Sequence, residues 1–70
     1  MFINLDQVGK VKDFVGISQG CLSEVTLMSD KYSVDGKSIL GIFSLDLCKP
    51  VKLICDDETD YAKFEQFKME

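Results

Sequence analysis

Residues 33–47 read SVDGKSILGIFSLDL, and this stretch decides how the rest of the chain is arranged. Val34 belongs to an extended segment, Asp35-Gly36 carries turn chemistry, and Ser38 stands as a helix cap before the apolar run Ile39, Leu40, Ile42 and Phe43. The pattern predicts a strand end feeding a short helix. Unpaired N–H donors and the helix dipole favour an anion at such a start, so Ser38 is a position that could receive a phosphoryl group. Two readings stand: a plain cap, or a cap that is also a modification site.

Working upstream, residues 22–28 are strand-like, with Val25 and Leu27 on one face and Glu24, Thr26 and Met28 on the other. Ser29-Asp30-Lys31 would connect them to a second strand through Tyr32 and Val34, an antiparallel hairpin in which Tyr32 either packs its ring with the hydroxyl near water, the commoner case, or forms part of an exposed recognition edge. Phe2, Ile3 and Leu5 form a first short strand, Ile3 and Leu5 pointing inward. Asp6 is the expected cap of a helix beginning near Gln7, whose stripe Val8, Val11, Phe14, Val15 and Ser18 recurs at three- and four-residue spacings. Lys10, Lys12 and Asp13 fall on its solvated arc. Gly9 and Gly16 each cost about 1 kcal/mol of helix propensity, which tertiary packing must offset. Gly20 is the natural stop.

Working downstream, Ile42, Leu45 and Leu47 are the expected buried side of the short helix and its exit, while the residue pattern alone also places Ile39, Leu40 and Phe43 in the core. Pro50 opens a strand in which Val51, Leu53 and Cys55 share a face. Asp57 should cap a last helix rich in early acids, and Tyr61, Phe64 and Phe67, repeating every three residues, would cover the sheet.

Seventy residues, 46% of them hydrophobic, fit a single domain over 1–70 that needs most of its apolar side chains in one core. With no His and three scattered cysteines (Cys21, Cys48 and Cys55), no zinc spacing exists, so no metal and no cofactor are expected and the thiols read as free in a reducing cytoplasm. No segment has the make-up of a signal peptide or the length to cross a membrane. Eight basic against twelve acidic residues, a net charge of -4, disfavour nucleic acid as partner. No Ser-His-Asp set or phosphate-binding glycine loop is present.

The run Lys37-Ser38-Ile39-Leu40-Gly41-Ile42-Phe43-Ser44-Leu45-Asp46-Leu47 resembles the serine region of the histidine-containing phosphocarrier (HPr) family of the sugar phosphotransferase system, and Phe14-Val15, Gly20 and Ser23-Glu24-Val25-Thr26-Leu27 are similar to that family's first helix and second strand. The resemblance implies an α+β, open-faced β-sandwich in which three helices cover a four-stranded antiparallel sheet in the order β-α-β-β-α-β-α. It also implies Ser38 as a regulatory phosphorylation site, Ile39, Leu40, Phe43 and Lys37 as partner contacts, and an HPr kinase or other phosphotransferase-system protein as partner. Pattern alone also permits a ferredoxin-like arrangement in which the middle helix is only a turn.

One departure redirects the function. HPr carriers transfer phosphate through a histidine that follows the first strand; carrying the match back without a gap puts Gln7 there, whereas keeping residues 2–5 as the first strand shortens the loop that would bear it, and the chain has no histidine in either case. An amide is a poor nucleophile with no protonation step near neutral pH. The expectation is a noncatalytic HPr-like protein, acting by contact with or without phosphorylation of Ser38. Phosphoryl transfer through an unusual carboxylate or thiol is the remaining alternative.

Overall fold

The computed structural model describes residues 1–29 and 32–69. Strand β1 (Phe2–Ile3) leads to helix α1 (Val8–Gln19), strands β2 (Val25–Ser29) and β3 (Tyr32–Asp35), helix α2 (Ile39–Phe43), strand β4 (Val51–Cys55) and helix α3 (Glu58–Ala62), followed by a 3₁₀ turn, Glu65–Phe67. The sheet runs β1-β4-β2-β3 with every neighbouring pair antiparallel, Leu27 standing opposite both Val34 and Leu53. The middle helix forms, and the helices lie over one face of the sheet. That is the open-faced sandwich, not the ferredoxin-like alternative.

Alternation decides which face is covered. Val25, Leu27, Val51 and Leu53 point inward and are buried with Ile3, Leu5, Val11, Phe14 and Ile42, whereas Lys52 and Ile54 point to the open side. Phe14 joins the layers: its ring centroid lies 4.8 Å from that of Phe64 and 5.7 Å, edge-on, from that of Phe67. The three-residue spacing of Tyr61, Phe64 and Phe67 suits a helix of three residues per turn better than one of 3.6. The last element accordingly leaves the α form after Ala62 and ends as the 3₁₀ turn, with Phe64 and Phe67 buried and Tyr61 half-buried. Beyond it, Asn4 N–H donates to Phe67 O (3.0 Å) and Met69 N–H to Phe2 O (3.0 Å), so the terminal segment covers the free edge of β1.

Several boundaries differ from expectation. Gln7, not Asp6, is the N-cap residue of α1, and it makes no side-chain capping bond; the Asp6 carboxylate instead pairs with Lys10 Nζ at 3.0 Å. Val8 falls outside the buried stripe and is 58% exposed. Strand β2 starts at Val25 because Ser23 is drawn away to α3, as described below. Tyr32 does not pack its ring: it pairs with Ser29 at the last rung of the sheet's edge strand and is 71% exposed. The hairpin connection through Asp30 and Lys31 lies outside the described residues.

Candidate functional site

Ser38 closes the turn that β3 enters. The Asp35 carboxylate accepts Lys37 N–H at 2.9 Å, Ser38 N–H donates to Asp35 O at 3.1 Å, and Ser38 then takes an extended backbone that starts α2. Its Oγ accepts Gly41 N–H at 3.3 Å, satisfying one orphan donor of the first turn, while its carbonyl accepts Ile42 N–H at 3.0 Å. A side-chain carbon at Gly41 would sit 3.4 Å from Ser38 Oγ and 3.5 Å from Val34 Cβ, ordinary contacts, so the cap does not depend on glycine there.

Only one side of α2 enters the core. Ile42 is fully buried and Leu45, just past the helix, is nearly so, whereas Leu40 is 81% and Phe43 44% exposed. Leu40 and Phe43 are therefore exposed on the side of α2 away from the core. Ile39 is half-buried and packs against the core, so it contributes an edge, and Leu47 is likewise half-buried. Lys37 is committed within the chain: its Nζ donates to Cys21 O at 3.2 Å.

A second constellation was not legible in the sequence. Asp60 on α3 is buried, and its Oδ2 accepts both Ser23 Oγ–H (2.7 Å) and Ser23 N–H (3.1 Å) while Oδ1 pairs with Lys63 Nζ (3.0 Å). The Ser23 hydroxyl, then Lys63, then the Ser23 amide hold this carboxyl well below the usual carboxylate range, and Asp60 in turn raises Lys63. Cys55 Sγ touches Ser23 Oγ at 3.2 Å, and burial, followed by the charge of Asp60, pushes the nearby Cys21 thiol up. The i,i+3 spacing of Asp60 and Lys63 was visible in the chain, but Ser23 lies 37 positions away. Asp57 does cap α3, as expected, accepting Thr59 and Asp60 N–H. Among the described residues no group of three or more His, Cys, Asp or Glu is placed to hold a metal ion, and no helix is long and apolar enough to cross a membrane.

An antiparallel sheet ordered β1-β4-β2-β3, helices on one face, a serine capping a short helix with an exposed apolar side and glutamine before α1 together define a phosphocarrier fold without its imidazole. The chain aligns with the crystal structure of selenomethionyl Crh, the catabolite repression containing protein of Bacillus subtilis, which is described as a swapped, intertwined dimer. The TM-score is 0.66 at 30% identity, over 93% of this chain and 76% of that one. No family profile and no curated protein matches. The chain belongs to the HPr family, and it contains no histidine.

Proposed function

We propose that this protein is a regulatory, histidine-free HPr-family member that acts in the cytoplasm through protein contacts made by Leu40 and Phe43, with Ile39 at their edge, and that phosphorylation of Ser38 by an HPr kinase controls those contacts. The observation that carries the reading is the position of the Ser38 hydroxyl, at the amide end of α2 beside an apolar side chain that is 81% exposed. A phosphate on Ser38 adds about -1.5 to -2 charges at this point, where N–H donors hold the anion and the adjoining Leu40 surface turns from apolar to strongly polar. Docking changes without a change of fold. Partners drawn from the phosphotransferase system fit this chemistry, as they recognise the corresponding helix in the family.

Incubation with ATP and a kinase active on an authentic HPr, followed by site-resolved mass spectrometry, tests the proposal. Wild type should gain one phosphate, and Ser38→Ala none. An unmodified wild type beside a fully modified control rejects phosphorylation and leaves a contact module; equal labelling of Ser38→Ala moves the site elsewhere.

A further inference from the structure

We propose that residues 21–23 form a strap that couples the β3–α2 turn to helix α3, so that loosening either end of the strap loosens the other. The segment between α1 and β2 has no ladder of its own: Cys21, Leu22, Ser23 and Glu24 lie outside every helix and strand, and Leu22 and Glu24 are exposed. Side chains from elsewhere hold it instead. Lys37 Nζ, from the turn that leads into Ser38, donates to Cys21 O at 3.2 Å. Asp60 Oδ2, from α3, accepts Ser23 N–H at 3.1 Å and Ser23 Oγ–H at 2.7 Å. Among the described residues Lys37 and Asp60 share no hydrogen-bond partner, so the shortest bonded route between them is the backbone from Cys21 to Ser23.

That route is as short as a backbone allows. The Cys21 carbonyl and the Ser23 amide belong to consecutive peptide planes, which only the φ and ψ of Leu22 separate. Cys21 is itself anchored, buried and with its N–H donating to Ser18 O at 3.0 Å, so the lysine bond fixes the plane that enters Leu22. Asp60 fixes the plane that leaves it. Holding both planes requires Leu22 to be ordered once, and the loss of freedom on ordering it is common to the two bonds. With the Lys37 bond gone, Asp60 must order a longer stretch to keep the Ser23 amide; with Asp60 gone, the carbonyl that Lys37 meets is less well ordered. Leu22 is 100% exposed, so no packing of its side chain replaces a lost bond. The strap therefore opens locally while the sheet and helices stay closed. This is a property of the folded chain and stands whether or not Ser38 is modified.

A double-mutant cycle on urea unfolding and native-state amide exchange test the strap on the intact protein. Lys37→Met keeps the aliphatic stem and removes the donor, and Asp60→Ala removes the acceptor. Each should raise the unfolding constant, and the double variant should raise it by at least about threefold less than the product of the two single effects, because either loss already weakens the other bond. The same coupling should survive in about 1 M salt, where a through-space attraction between Lys37 and Asp60 would be screened. In Lys37→Met alone, exchange of the Ser23 amide should quicken by about tenfold beyond any change at Leu53 N–H, which bonds to Met1 O within the sheet. The exchange measurement needs no Asp60 variant and decides by itself if Asp60→Ala fails to fold. Single effects that multiply to within about twofold, a coupling that disappears in about 1 M salt, or Ser23 exchange that Lys37→Met leaves unchanged would each overturn the strap.

Discussion

Replacing Gly36 by alanine should destabilise the domain even though a glycine-to-alanine change reduces the entropy of the unfolded chain. A carbon added at Gly36 would stand 2.7 Å from Val25 Cγ1, 3.1 Å from Val25 O and 3.3 Å from Phe14 Cε1. Neither neighbour has room to move: Val25 is 2% exposed, Phe14 is fully buried, and the Val25 carbonyl is the acceptor of Gly36 N–H at 2.7 Å. Overpacking of this kind costs about 1–3 kcal/mol, against which the loss of unfolded-state freedom returns about 0.4–1. The net loss is about 1–2 kcal/mol, or roughly 5–15 °C in Tm for a domain of this size. Gly16 supplies the internal control, because it lies inside α1 with nothing within 4 Å of the added carbon. Gly16→Ala should gain about 0.5–1 kcal/mol. Thermal and urea unfolding followed by circular dichroism measure both variants. A Gly36→Ala protein melting at or above wild type would refute the argument that β3 and α2 are joined by close approach to Val25 and Phe14.

Charge at Leu40 should change the stability of the free domain by less than about 0.5 kcal/mol, as at other exposed positions, whereas Ile42→Ala should cost about 2–5 kcal/mol; urea titrations of Leu40→Asp and Ile42→Ala that show equal losses would place Leu40 in the core. The folded-state pKa of Asp60 lies below its unfolded value, so its contribution is fully present above the ordinary carboxylate range and is lost as pH falls through and below that range. Asp60→Asn should therefore lower stability at pH 7 and flatten the acid limb of the stability profile, and an unchanged acid limb contradicts the Ser23–Asp60–Lys63 clasp. Finally, incubation with phosphoenolpyruvate and the phosphotransferase enzyme that charges ordinary HPr should leave the protein unlabelled, since the chain has no imidazole to accept the phosphoryl group; stoichiometric acid-labile label would defeat that expectation.

Local chemistry was what the sequence conveyed best. The turn at Asp35-Gly36, the caps Ser38 and Asp57, the stop at Gly20 and the inward faces of β2 and β4 all follow from side chains acting within a few residues, and such signals survive in a one-dimensional reading. The missing imidazole was equally plain, because composition is independent of folding.

Packing across the chain settled the rest. The residue pattern set Ile42 on the buried side but also allowed Leu40 and Phe43 into the core, and only the packed structure determined that Ile42 would fill it while Leu40 faced water. A five-residue helix has too few turns to encode its own orientation. Tyr32 carried the signature of a packed aromatic, yet its place at the end of an edge strand left nothing to cover it. The bonds from Lys37 to Cys21 and from Ser23 to Asp60 join residues 16 and 37 positions apart. Sequence by itself determined the order of the elements, the caps Ser38 and Asp57 and the absence of the phosphohistidine. Which apolar residues became surface, and which charges became internal clasps, depended on neighbours brought together only when the sheet and helices closed on one core.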